Sequence, residues 1–159
     1  MNEEKISFAD MMSDLQASAG MKFIHAEGTT DWTVPVEGGA VEVNVSLRPT
    51  GQVVTFAEVC PFIPSPDDAG RARMLLEMNW RWKESRGFTI SVDDETDRLM
   101  IADRRPARGF ASAEALGNYL FGAAELVKEL RDTRADFEDL ALAEVVDGTD
   151  EDNAAETEG

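Results

Sequence analysis

The chain has 159 residues, 43% of them hydrophobic, and a net charge of −17, which fits one domain able to build a core without disulfides or metal. That charge repels phosphate backbones and argues against a nucleic-acid partner. No apolar run approaches the roughly 18 residues of a membrane span, no apolar signal stretch follows Met1, and the single cysteine, Cys60, excludes an internal disulfide, so a cytoplasmic location without membrane insertion is expected.

Met1 to Ile6 reads as a loose leader. Ser7 caps a first helix with Asp10 at the capping-box position, and Phe8, Met11, Met12, Leu15 and Ala19 fall on one face before Gly20 ends it. Trp32 to Glu37 alternates as a strand. Pro35 cannot donate to a ladder, so this strand should be free on one side there. Gly38-Gly39 reads as a two-residue hairpin. Val41, Val43, Val45 and Leu47 give the clearest inward row, Arg48-Pro49-Thr50-Gly51 suits a type I turn, and Val53 to Cys60 returns as a third strand.

A central helix is predicted from Pro66 to about Lys83, opened by Ser65-Pro66-Asp67-Asp68, where cap, proline and acids suit a helix start. Met74, Leu75, Leu76, Met78, Trp80 and Trp82 sweep, with Ala72, an apolar arc of roughly 240° on the wheel, against the roughly 100° that a one-sided helix needs. Arg73, Glu77 and Arg81 form the narrow polar row. Such a helix needs two burial partners, and a second copy of the chain is the favoured second one. If Leu76 faces the sheet, Met74, Leu75, Met78 and Trp82 are the predicted dimer interface.

Gly87 releases the chain into Phe88, Ile90 and Val92. Asp93 to Asp97 is a polar hairpin loop, and Leu99 to Ala102 is a fifth strand. Ser112 starts a last helix with Leu116, Tyr119, Leu120, Ala123, Leu126, Val127 and Leu130 on one face. Gly117 and Gly122 inside it read as marks of close packing. Phe137 to Val146 reads as a short acidic helix with Phe137, Leu140 and Leu142 as apolar points. From Asp132 onward, eleven acidic residues stand against Arg134 alone, a local −10. Residues 1–146 are expected to form one domain, and 147–159 a disordered acidic tail without an apolar anchor.

Chemistry is sparse. His25 is the only histidine and reads as a surface or loop residue, and Cys60 has no basic neighbour in sequence and reads as a buried thiol. Asp93 to Asp97 lacks the glycine and glutamate of a calcium loop, since Arg98 and Arg104 occupy those positions. There is no phosphate-binding glycine loop and no Cys/His cluster. The expectation is a protein that is not an enzyme and uses no cofactor and no metal. Arg98, Arg104, Arg105 and Arg108 form the one basic concentration, read either as a solvated face or as a site for an acidic partner or the chain's own tail.

The order α-β-β-β-α-β-β-α with an antiparallel sheet packed against helices is an α+β domain. With Leu75-Leu76-Glu77-Met78-Asn79, Gly87-Phe88-Thr89-Ile90-Ser91-Val92-Asp93, Arg98-Leu99-Met100-Ile101 and a leucine-rich last helix, the chain resembles the class I type III secretion chaperones. It is similar in element order to YbjN-type domains as well. The resemblance runs from about Phe8 to Arg131 and implies a homodimer paired through its middle helix, holding an extended segment of a client (effector) protein. Phe8, Met12, Leu15 and Val34 are the expected client-binding residues, on an apolar groove between the first helix and the three-strand meander. The alternative is a regulatory or scaffolding domain bound to one permanent partner.

Overall fold

A computed structural model of the chain describes residues 7–62 and 69–148, with side chains through Asp132. The elements are α1 (Phe8–Ala19), β1 (Ile24–His25), β2 (Asp31–Val36), β3 (Val41–Leu47), β4 (Gln52–Pro61), α2 (Ala69–Trp80), β5 (Thr89–Asp93), β6 (Arg98–Pro106) and α3 (Ala113–Gly148). The α+β order expected from sequence holds, with the two-residue β1 added ahead of the first predicted strand. The six strands form one antiparallel sheet in the order β1-β2-β3-β4-β6-β5.

Local signals act where the sequence puts them. The Ser7 hydroxyl accepts from the Asp10 N–H (3.1 Å), the Asp10 carboxylate accepts from the Ser7 N–H (3.3 Å), and Gly20 closes α1 in the left-handed region. At the β3–β4 turn the Gly51 N–H donates to the Arg48 carbonyl (2.9 Å), and Gly51 takes φ +78°, as a type I turn followed by a bulge glycine requires. The Ser112 hydroxyl accepts from the Ala115 N–H at the start of α3 (3.1 Å). The Gly38-Gly39 hairpin differs from expectation. Val36 pairs with Val41, leaving a four-residue loop in which Glu37, Gly38 and Gly39 all have positive φ. The short acidic helix expected from Phe137 to Val146 is instead the end of α3, which continues as one backbone helix to Gly148. Residues 149–159, most of the expected tail, and the Ser65 to Asp68 helix start lie outside the described residues.

The core lies between α1, α3 and one face of the sheet. Trp32, Val34, Val36, Val41, Val43, Val45, Val53, Ala57, Ile90, Leu99 and Ile101 come from the strands, Phe8, Met11, Met12 and Leu15 from α1, and Leu116, Leu120, Leu126, Val127 and Leu130 from α3. A bulge between Glu58 and Cys60 puts consecutive residues Val59 and Cys60 inside, so the expected buried thiol is found. Arg131 on α3 fastens that bulge, donating to the carbonyls of Val59 (2.7 Å), Ala40 (2.8 Å) and Glu58 (3.5 Å). α1 approaches α3 at Gly117, where an added Cβ would stand 2.8 Å from Leu15 Cδ1; at Gly122 the nearest atom would be Arg86 Cδ at 3.9 Å. Close packing therefore explains Gly117 and not Gly122.

The central helix ends earlier than predicted and is turned differently. It ends at Trp80, and turns carry the chain through Arg81 to Gly87. Leu75 faces inward and is buried, whereas Leu76 is 69% exposed, so the premise that Leu76 faces the sheet is corrected. The inward row is Arg71 and Leu75, both buried, and the half-buried Asn79, spaced i, i+4, i+8. Asn79 is the reason for this orientation, because its amide must face β5 to make the bonds described below.

Candidate functional site

Two surfaces remain uncovered among the described residues: the face of the sheet opposite α1 and α3, and the outer side of α2. On the sheet, the strand period sends Asp31, Thr33 and Pro35 of β2, Glu42, Asn44 and Ser46 of β3, Val54, Phe56 and Glu58 of β4, and Met100, Ala102 and Arg104 of β6 to the open face. Phe56 stands in the middle of it, 38% exposed, in register with Asn44 on one side and Ala102 on the other. At the β1 side, Ile24 is 61% exposed and lies beside Thr33. Ile24, Ala26, Asp31, Thr33, Asn44 and Phe56 line a depression of about 250 Å³ there, room for one large side chain. The Thr33 hydroxyl donates to Asn44 Oδ1 across its floor (3.0 Å). His25 stacks on Trp32 (ring centroids 4.8 Å apart, planes 16° apart), and its Nε2–H donates to the Thr29 carbonyl (2.8 Å), which makes it a brace for β1.

The two edges of the sheet are partly closed. The Leu47 N–H donates to the Thr30 carbonyl (2.9 Å), and antiparallel alternation from that pair turns the backbone of Asp31, Thr33 and Pro35 away from β3. β1 takes up Thr33. Pro35 then offers the free stretch of β2 a carbonyl and no donor, so β2 is free at Pro35 as expected but is a poor template for another strand. At the far edge, the Asn79 amide donates to the Ile90 carbonyl (2.9 Å), and its carbonyl accepts from the Ile90 N–H (2.7 Å), so the side chain occupies the place of a neighbouring strand.

The four expected client-binding residues, Phe8, Met12, Leu15 and Val34, are all buried, and this is a correction. Phe8 packs edge-on against Trp32 (5.7 Å) and against Phe110 (6.0 Å), while Leu15 meets α3 at Gly117. The regular apolar stripe of α1 is the core-facing stripe of an ordinary amphipathic helix, covered by α3 and the sheet. What sequence reasoning missed is the opposite side of the sheet. Phe56 gave a signal, an aromatic on the strand face opposite Val53, Thr55 and Ala57.

Of the expected dimer residues, Leu75 is buried and Met74 and Met78 are half-buried against the core. Trp82 lies beyond the end of α2 and is 65% exposed. The exposed apolar side of α2 is Leu76 and Trp80, the latter 87% exposed, with Trp82 adjoining. Arg73 pairs with Glu77 (3.1 Å) and Arg81 with Glu84 (3.3 Å) along the polar row.

Tyr119, Asp103, Arg105 and Asp93 serve structure. The Tyr119 hydroxyl donates to Asp103 Oδ2 (2.7 Å), the Arg105 Nε–H donates to the same oxygen (2.6 Å), and the guanidinium lies 4.1 Å from the centre of the Tyr119 ring. Burial first, and then the adjoining Asp103 carboxylate, push the Tyr119 phenol well above its ordinary value. The neighbouring Thr55 hydroxyl, buried, finds no partner of bonding geometry among the described residues. Asp93 accepts the Glu95 N–H (3.1 Å) and the Thr96 hydroxyl (2.8 Å), which is a turn holding itself together. No group of three or more potential metal ligands occurs among the described residues, and no helix there is long and apolar enough to cross a membrane.

No protein-family model matches the sequence, and no curated protein sequence matches it. Solved structures do. A chain of the HopA1–SchA chaperone–effector complex superposes with a TM-score of 0.63 at 13% identity, covering 83% of this chain and 98% of its own. The Yersinia pestis type III secretion chaperone SycH, in complex with a stable fragment of YscM2, gives 0.59 at 11% identity, covering 78% and 99%. YbjN from E. coli gives 0.54 at 9% identity, covering 82% and 92%. At such identities the likeness is one of architecture: this chain has the α+β fold shared by type III secretion chaperones and YbjN.

Proposed function

We propose that the protein is a non-catalytic, chaperone-like holder of an extended client segment, seated on the open face of the sheet, and that it works as a homodimer. The observation that carries this is the uncovered face itself, with Phe56 and Ile24 exposed around a depression sized for one side chain. Two of the structural neighbours, SchA's complex and SycH's, are of chaperones solved with an effector or a partner fragment. Because Pro35 and Asn79 blunt the edges, main-chain pairing is confined to short stretches, such as β1 and Val92 of β5. Side-chain anchoring therefore carries more of the affinity than strand addition.

The test is an array of 20-residue segments from the secreted proteins of the native host, offered to the full chain. Binding should be stoichiometric, indifferent to ATP and chelator, and weakly salt-sensitive. Phe56→Asp and Ile24→Asp should each lower affinity on the order of tenfold, the loss expected when an apolar anchor becomes a charge. Retention of no segment by the wild type, or equal retention by both variants, removes this reading. A second reading, docking on one permanent partner, is favoured by the α2 surface: if a different protein rather than another copy covers Trp80, that reading takes over.

A further inference from the structure

Most described arginines have an internal partner. Arg73, Arg81, Arg86, Arg98 and Arg105 each lie within 3.4 Å of a carboxylate oxygen. Arg131 donates to three carbonyls, and Arg71 is buried against Cys60 and Phe62. Arg48, Arg104 and Arg108 differ. All three are exposed, and none has a carboxylate within ion-pair distance among the described residues. They also lie at the same end of the sheet. Arg48 opens the β3–β4 turn, Arg104 is opposite Val54, and Arg108 sits on the turn whose Ala107 N–H donates to the Gly51 carbonyl (2.9 Å).

We propose that this corner receives the acidic segment 149–159 of a second copy of the chain. The segment carries Asp150, Glu151, Asp152, Glu156 and Glu158 and no basic residue. Its own corner is out of reach. α3 begins at Ala113, five residues after Arg108, and runs to the opposite end of the sheet, where Lys128 meets Glu37 (2.9 Å) and Arg131 meets Ala40. Its 36 residues set Gly148 about 52 Å from Ala113 at ~1.5 Å per residue. Residues 149–159, fully extended, span at most about 38 Å. No such limit applies between copies. Contacts of this kind are exposed and individually weak, so several must act together, and salt screens them.

Intermolecular relaxation enhancement tests this on the full chain. Copies carrying Glu156→Cys with a spin label are mixed with isotope-labelled wild type, so that only contacts between copies broaden signals; the buried Cys60 takes no label. At about 0.02 M salt the amides of residues 48–51 and 104–108 should broaden, and at about 0.5 M they should recover. Arg48→Glu/Arg104→Glu/Arg108→Glu should abolish the effect without moving the melting temperature, and replacing the four remaining tail acids, Asp150, Glu151, Asp152 and Glu158, by lysine in the labelled copy should restore it. Absence of broadening at that corner, or persistence in the triple variant, overturns the proposal. The readout involves no client and so is independent of client binding.

Discussion

The Asn79 side chain holds both backbone polar groups of Ile90, donating to its carbonyl at 2.9 Å and accepting from its N–H at 2.7 Å. One amide thus does three jobs. It fixes the rotation of α2, sends Leu75 rather than Leu76 inward, and blunts the β5 edge at Ile90. Asn79→Ala removes both bonds and leaves Ile90 unsatisfied at a partly covered edge, which should cost about 1–3 kcal/mol. Asn79→Asp keeps the acceptor and sets a carboxylate against the Ile90 carbonyl, and should cost at least as much. Denaturant melts measure the loss. Wild-type stability in both variants would show that the clamp is incidental.

Tyr119 makes stability depend on alkaline pH. Its folded-state pKa is raised above the ordinary value of 10, chiefly by burial. The neutral phenol is therefore favoured by folding, the contribution is fully present below pH 10, and it is lost as the pH climbs from there toward the folded value. Tyr119→Phe should flatten the stability profile above pH 10. At neutral pH it should cost about 1 kcal/mol for the lost bond to Asp103. An unchanged alkaline profile in the variant would place the titration elsewhere.

Phe8 and Met12 are core residues, and a charge on either should unfold the protein rather than weaken a surface. Phe8→Asp removes the contacts to Trp32 and Phe110 and buries a carboxylate without a partner, a loss of more than about 4 kcal/mol. Circular dichroism at room temperature should show loss of the fold. A folded Phe8→Asp chain with weakened client binding would return α1 to the binding site.

The difference between what the chain announces and what it withholds follows from the range of each signal. The Ser7–Asp10 box, the inward valines of β3 and the Ser112 cap are local, and each acts within a few residues of itself. The helix order and the antiparallel sheet follow from such signals, so the fold was legible. The functional surface is not local. Whether the α1 stripe or the Phe56 face is exposed depends on α3 lying over one side of the sheet, and the more apolar α1 stripe draws the eye in the sequence. β4 is ambiguous for the same reason, since Val54 and Phe56 compete with Val53, Thr55 and Ala57 for the inside. On α2 the apolar arc points to methionines and tryptophans, while the inward row is set by a polar residue, Asn79, whose partner lies eleven residues on.

The two glycines of α3 should respond oppositely to alanine. At Gly122 the new Cβ finds ordinary space and the backbone is helical, so Gly122→Ala should stabilise by up to about 1 kcal/mol. At Gly117 the same gain is opposed by the 2.8 Å approach to Leu15 Cδ1, so the end of that buried side chain must shift to admit the new Cβ. Gly117→Ala should be neutral or worse, and Gly117→Val should lose about 2 kcal/mol or more. Thermal melts of the three variants give the ranking, and a stabilised Gly117→Val would contradict this packing of α1 on α3.

The α2 surface gives the last expectation. Leu76, Trp80 and Trp82 are exposed while Met74 and Met78 rest half-buried against the core. A substitution meant to break assembly should therefore avoid the methionines, because Met78→Asp would also damage the fold. Trp80 touches little of its own chain, and a tryptophan can bury on the order of 200 Å² in an interface. If a second copy covers it, the wild type should sediment as a dimer at roughly 50 µM, since dissociation follows mass action. Trp80→Asp should then give a folded monomer whose melting temperature no longer depends on concentration. The Arg73–Glu77 pair beside it is exposed and serves as a control, because Arg73→Ala should leave both assembly and melting nearly unchanged. A wild-type monomer at that concentration, with Trp80→Asp indistinguishable from it, would leave this surface to a different partner.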